Sequence, residues 1–244
     1  MTKFSYYGNL CALFYDATKK FAPPAELKFY TAFMQPTGRV LEAMTGSGRL
    51  QIPLMQAGYV VDGVDCSLDM LNRCRERSAA LGLAPNLYQQ FLNELSLPHK
   101  YQTVVIAVGS FQLITNYQTA LTALKKIGAH LEADGNLLFS IFDPQLNSEP
   151  WSKRVVRLSS NTILNLTTRR ELDHAKQIAD AYCAYELVIS GQVVQQENEL
   201  ISVVWYTEIQ LRQLLDLAGF KIIKIYDYPL PKTDNSRIVH AKLK

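Results

Sequence analysis

Long apolar runs are absent from this chain of 244 residues; none approaches the ~20 residues that cross a bilayer. Charge of one sign is scarce too. Twenty-five basic residues against 22 acidic ones leave a net charge of +3, too little to draw a nucleic acid or a membrane surface. The four cysteines, Cys11, Cys66, Cys74 and Cys183, form no C-x-x-C pair, and His99, His130, His174 and His240 are scattered. Reduced thiols and no metal are therefore expected. The N-terminus lacks a basic stretch followed by an apolar core and cleavage site, so the expected location is cytoplasmic. No Ser/His/Asp set and no paired carboxylates stand at a catalytic spacing. The remainder is an ordinary globular composition, 48% hydrophobic and 19% charged, at a length suited to one large domain over residues 1–244.

What is there is concentrated in RVLEAMTGSGRL, Arg39–Leu50, and VVDGVDCSLDM, Val60–Met70. Val40, Leu41 and Ala43 read as a short buried strand, with Glu42 near its end and Gly46-Ser47-Gly48 beyond it. A strand that breaks into a glycine turn and restarts as a helix aims backbone N–H groups at one point. A second strand, Tyr59–Val64, ends in Asp65, placed to accept hydrogen bonds from a ribose diol. The pattern is a nucleoside-binding half-fold, open to two readings. A dinucleotide fingerprint wants a third glycine, where this chain has Gln51. The other reading needs an acid at the strand end, one G-x-G and a ribose acid after the next strand, which Glu42, Gly46, Gly48 and Asp65 satisfy.

These residues, with the run through Asp65-Cys66-Ser67-Leu68-Asp69-Met70-Leu71, resemble the first two motifs of the class I S-adenosylmethionine-dependent methyltransferases. The family's usual first glycine is Met44 here, as in a subset with a Gly-Ser-Gly-Arg loop. The resemblance extends over roughly residues 4–243 and implies an α/β fold: a doubly wound, mostly parallel seven-stranded, Rossmann-like sheet. The implied cofactor is S-adenosyl-L-methionine, with S-adenosyl-L-homocysteine as product. The implied cofactor contacts are Glu42, Ala43, Met44, Gly46, Gly48, Asp65, Cys66 and Met70, then Leu92 and Asn93 near the adenine, then Val108, Gly109 and Ser110. Where many family members carry an acid that reads the adenine amino group, this chain has Phe91. The loop from Gly109 holds the reacting end of the substrate in the family, which brings Phe111 into view. The Asn/Asp-Pro-Pro-aromatic stretch of base methyltransferases is missing there, so a small-molecule acceptor is expected rather than nucleic acid. An N-terminal helical lid, 1–36, would place Tyr15 near the sulfonium, with Tyr6 and Tyr7 as further aromatics.

Apolar residues at helical spacing predict helices near Leu10–Ala17, Ala25–Met34, Ser47–Ala57, Leu68–Leu81, Asn116–Leu131 and Glu208–Ala218. Ser67 reads as an N-cap, Thr207 with Gln210 as a capping box, and Gly58, Gly82 and Gly219 as terminators. Leu87–Leu92, Thr103–Val108 and Asn136–Phe142 read as strands, with a turn at Asp134-Gly135. Phe220–Tyr228 and Arg237–Leu243 read as a closing antiparallel hairpin. Residues 151–205 break the βα alternation; Thr162–Arg170, Asp180–Ile189 and Gln192–Val204 predict three antiparallel strands, a cap over the cleft or the edge of a homodimer. Lys153, Arg154, Arg157, Arg169 and Arg170 make either a solvated basic face or, through Arg169, a seat for an anionic substrate. Catalysis by positioning is expected, with no assigned base; Tyr15, His99 and Trp205 are candidates for the acceptor pocket. The other functional readings are a non-catalytic S-adenosylmethionine-binding regulator or subunit and, less favoured by Gln51, an NAD(P)-dependent oxidoreductase.

Overall fold

The computed structural model describes residues 7–144, 149–230 and 235–244. Two short helices, α1 (Asn9–Thr18) and α2 (Pro24–Thr31), precede the sheet. Pro24 opens α2, where its fixed φ and missing N–H suit the first helical turn. Then β1 (Arg39–Ala43), α3 (Gln51–Gln56), β2 (Val60–Asp65), α4 (Leu68–Ala79) and β3 (Asn86–Gln89) make two successive βαβ units. On the other side of β1 come β4 (Tyr101–Ile106), α5 (Tyr117–His130) and β5 (Leu131–Ile141). Four strands follow, β6 (Trp151–Arg157), β7 (Thr162–Asp173), β8 (Ile178–Ile189) and β9 (Gln192–Val204). The chain returns through α6 (Glu208–Leu217), β10 (Phe220–Asp227) and β11 (Arg237–Leu243).

The main sheet has seven strands in the order β10-β11-β5-β4-β1-β2-β3, and β11 alone runs against its neighbours. The doubly wound, mostly parallel architecture expected from the sequence is the one found. Side chains alternate across the sheet. Leu41, Val104, Ile106, Leu137 and Phe139 face α5 and α6, whereas Val40, Val105, Leu138 and Ile238 face α2 and α3. Strand order reverses between β1 and β4, and ligands of such sheets bind in the crevice beyond the carboxyl ends at that point.

The four later strands form a separate antiparallel sheet, β6-β7-β8-β9. It carries one strand more than expected. β6 is an edge strand with Lys153, Arg154 and Arg157 on it and mostly exposed residues. Charges of this kind protect an edge from further pairing, and they hide its strand character in the sequence. Helix α1 lies on this sheet: Leu10, Cys11 and Phe14 pack on Leu164, Leu166, Cys183 and Tyr185. Its N-cap, Gly8, offers no side chain. Instead Glu197 on β9 accepts from the N–H of Leu10 (3.1 Å) and of Cys11 (3.2 Å), and Glu199 accepts from that of Gly8 (2.6 Å). Two carboxylates thus meet the positive end of the helix.

Three local expectations are corrected. The helix after the glycine turn begins at Gln51, not Ser47, because Pro53 has no N–H for the Arg49 carbonyl; the Ala22 N–H takes that carbonyl instead at 2.8 Å. The third strand stops at Gln89, so Leu92 and Asn93 belong to a single 3-10 turn. Asp134-Gly135 is no turn between elements but part of β5, where Leu131 to Asn136 bulges against Tyr101 to Thr103 of β4. The predicted caps are present: Ser67 accepts from the Met70 N–H, and Thr207 and Gln210 form the capping box.

Candidate functional site

The carboxyl ends of β1, β2 and β4 converge on the switch point. Beyond β1 the chain turns through Met44 (φ 59°), Gly46 (φ 57°) and Gly48 (φ 80°). Met44 occupies the left-handed region that disfavours any residue with a Cβ by ~1–2 kcal/mol, which is where the resembled family places glycine. At the tip of β2, Asp65 Oδ2 accepts from the Gly46 N–H at 2.8 Å and Oδ1 from the Ser67 N–H at 2.9 Å. Burial raises its pKa above the usual carboxylate value, and the N–H groups of Ser67, Gly46 and Cys66 oppose that rise. Asp65 therefore ties the glycine turn to the next strand while lying at the mouth of a cleft.

Glu42, 3% exposed, sits under the same turn. Thr45 Oγ1 lies 2.9 Å from Glu42 Oε2 and 2.9 Å from Gln51 Oε1. A hydroxyl has one proton and cannot donate to both. The count closes when Glu42 carries a proton: its carboxyl donates to Thr45, Thr45 to Gln51, and Gln51 Nε2 to the Val61 carbonyl at 3.4 Å. Burial agrees, pushing the Glu42 carboxyl up to about 8 against the opposing pull of the Arg49 charge and of the bond that Thr45 would donate to the ionised form. Gln51 is fully buried, and Gly63 on β2 leaves the room it fills. The position that a dinucleotide fold reserves for close helix–strand packing is thus taken by a polar side chain.

Arg49 reaches the cleft from the far side of the turn. Its Nη1 donates to Glu26 Oε2 on α2 at 2.8 Å, and its Nη2 donates to Glu26 Oε1. The Tyr15 phenol hydrogen-bonds Arg49, but burial still pushes it up to about 12. Tyr15 is therefore a protonated hydrogen-bonding group at neutral pH and no general base.

The cleft encloses about 940 Å³ including its mouth. Of the residues expected from the sequence, Tyr15, Glu42, Met44, Gly46, Asp65, Cys66, Met70, Val108, Gly109 and Ser110 line it. An adjoining cleft of about 750 Å³ shares Met44, Asp65 and Cys66 and adds Leu92 and Asn93. Asp65 thus stands between two compartments. Val108 (φ 59°) and Gly109 (φ 72°) turn sharply after β4, and a Cβ on Gly109 would meet the Phe142 ring at 2.5 Å. A β-branched residue held in this region marks backbone strain at the cleft wall. Ile201 and Val203 of β9, with Tyr7 and Lys19, close the cleft from above. Buried Gln112 fastens that roof: its Nε2 donates to the carbonyls of Phe142 (2.9 Å) and Val204 (2.8 Å), and its Oε1 accepts from the Phe142 N–H (2.8 Å).

Six expected residues do not line either cleft. Ala43 is fully buried in the α5 face of the sheet. Phe111 is a core residue, its ring 5.3 Å from that of Phe139. His99 is exposed just before β4, at the sheet end opposite the cleft. Trp205 is buried against the His174 ring. Arg169 pairs in register with Tyr182, and strand alternation puts both on the face of the second sheet opposite Ile201. There it pairs with Glu171 and stacks 4.3 Å from the Tyr182 ring. The basic cluster is split by the same alternation: Arg154 faces α1, 4.9 Å over Phe14. Tyr6 lies outside the described residues.

Gly48 is the sixth. A Cβ there would stand 2.6 Å from Cys74 Sγ and 3.0 Å from Ile52 Cγ1, so this glycine serves packing on α4. Gly48→Ala should destabilise the protein by about 2 kcal/mol, adding backbone strain to overpacking. Urea unfolding with an unchanged midpoint would contradict this. Conversely, sequence reasoning assigned no role to Thr45, Arg49, Lys19, Leu113, Phe142, Ile201 or Val203. Thr45 and Arg49 lie within the motif, beside Gly46 and Gly48; Ile201 and Val203 show a signal only as alternate residues of one strand.

Residues 40–135 match the sequence model of a family described as "Methyltransferase domain". A Geobacillus sp. protein bearing a provisional methyltransferase name is 24% identical over 86% of this chain and 84% of its own length. Phosphatidylethanolamine N-methyltransferase of Cereibacter sphaeroides is 32% identical over 37% of this chain and 45% of its own. Among solved structures, an S-adenosylmethionine-dependent methyltransferase from Clostridium acetobutylicum superposes with a TM-score of 0.77 at 17% identity, covering 95% of this chain and 97% of that one. The sugar N-methyltransferase KedS8 from Streptoalloteichus gives 0.76 at 16% identity, over 98% and 97%.

Proposed function

We propose that the chain is a class I S-adenosylmethionine-dependent methyltransferase and that it moves a methyl group to a small-molecule acceptor by in-line displacement. Asp65, at the tip of β2 between the two compartments and bonded to Gly46, carries this reading. Its carboxylate takes the ribose hydroxyls. Leu92 and Asn93 take the adenine in the second compartment, where apolar walls suit a base without an acid. Glu42, once it gives up its proton, and the Arg49 guanidinium suit the amino-acid tail, one for an ammonium and one for a carboxylate. The donor, when bound, supplies a methyl carbon made electrophilic by its sulfonium.

The remaining work falls to the chain. Val108, Gly109 and Ser110 form the wall on which nucleophile and methyl must be aligned. Helix α1 and strand β9 cover the cleft and keep water from it. Tyr15 offers an O–H to the acceptor or the donor and takes no proton. Alignment and exclusion of water supply the catalysis. The names of several similar structures specify sugar or glycopeptide N-methyltransferases, which makes amino sugars the first acceptors to try, beside hydroxyl and carboxylate compounds.

Calorimetric titration with S-adenosylmethionine, S-adenosylhomocysteine and NAD tests the site. Binding of the first two without the third is expected. Binding of NAD alone would overturn the reading, and turnover on the acceptor panel distinguishes an enzyme from a non-catalytic binder.

A further inference from the structure

We infer that Glu26 is a positioning residue that aims Arg49 at the amino-acid tail of the donor, an assignment resting on the reading of the cleft given above. Glu26 is 1% exposed and Arg49 7%, so the pair is buried, and burying an ion pair is seldom the most stable way to fill a core. Its geometry is that of a fork: both Nη atoms go to the two oxygens of one carboxylate, which fixes the plane of the guanidinium. The main chain is fixed as well, since the Arg49 carbonyl freed by Pro53 is held by the Ala22 N–H. Tyr228 hydrogen-bonds the Glu26 carboxylate from the loop after β10. Arg49 is thus held at the cleft wall by three elements that do not themselves line the cleft.

The alternative partner for Arg49 is Glu42, close enough for their charges to interact. Without the Glu26 carboxylate, the buried guanidinium would be drawn to Glu42 and would favour its ionised form, pairing with each other the two groups needed for the tail. Glu26 keeps them apart. The consequence is selective: loss of Glu26 should affect a ligand with the zwitterionic tail and spare one without it.

The test compares S-adenosylhomocysteine with 5′-methylthioadenosine, which has the adenosyl thioether but no amino-acid tail. Glu26→Gln should weaken the first by about tenfold or more and leave the second within about twofold. Tyr228→Phe, which removes only one hydrogen bond to Glu26, should shift the first in the same direction by a smaller factor and serves if the Glu26 variant does not fold. Equal weakening of both probes would reduce Glu26 to a structural residue and overturn the inference, as would no change in either. A parent protein that binds neither probe would instead sink the donor-site reading, and this inference with it.

Discussion

Asp65→Ala is expected to bind S-adenosylhomocysteine about 30-fold more weakly than the parent, a loss of about 2 kcal/mol. Two effects add. The ribose hydroxyls lose their acceptor, and Gly46 loses the carboxylate oxygen that holds its N–H at 2.8 Å. The bond from the Thr45 N–H to the Val64 carbonyl is then left to tie the glycine turn to β2. Unlike a change at Glu26, this one should weaken S-adenosylhomocysteine and 5′-methylthioadenosine alike, because both carry the ribose. Asp65→Asn should also fail to bind well: if its amide nitrogen faces either backbone N–H, two donors meet, and if it turns outward it offers the ribose no second acceptor. Calorimetry on the three proteins decides it; an unchanged affinity for Asp65→Ala would remove the central support of the proposed function.

Much of this was legible in the chain because the site is built from short-range pattern. The βαβ period, the strand-end acids Glu42 and Asp65 and the caps at Ser67 and Thr207 are local features, and the structure has them where the sequence puts them. What escaped is of two kinds. Gly48 and Gln51 sit inside the motif, but their roles depend on what lies behind the turn: Cys74 for one, Gly63 for the other. No spacing rule reveals that. The roof of the cleft is the second kind. Ile201, Val203, Gln112 and Phe142 meet through contacts between segments far apart in sequence, and only the tertiary fold brings them together. Arg169 was misplaced for a simpler reason. A cluster of basic residues looks like one face along the sequence, whereas a strand sends neighbouring side chains to opposite faces.

Glu42 gives the second large effect, as a dependence on pH. Its carboxyl is held at about 8 in the folded protein, mainly by burial, against an ordinary value near 4.5. Between those values the native state keeps a proton that the unfolded chain has released. Stability therefore falls as pH rises through that window and stays lower above it. Glu42→Gln has no such proton to lose. It should match the parent's stability near pH 4.5 and exceed it by about 4 kcal/mol near pH 9, most of the difference appearing between pH 5 and 8. Binding should show the opposite preference. An ammonium placed beside Glu42 favours the ionised carboxylate, so a tail-bearing ligand must displace the proton that closes the chain through Thr45 and Gln51. The parent's affinity for S-adenosylhomocysteine should then rise by up to about tenfold per unit between pH 6 and 8. Calorimetry in buffers of different ionisation enthalpy should register close to one proton released near pH 7. For Glu42→Gln both the slope and the released proton should vanish, and 5′-methylthioadenosine should show neither in either protein. A parent whose affinity for S-adenosylhomocysteine stays flat from pH 6 to 8 would mean that the ammonium does not meet Glu42 and that the tail lies elsewhere in the cleft.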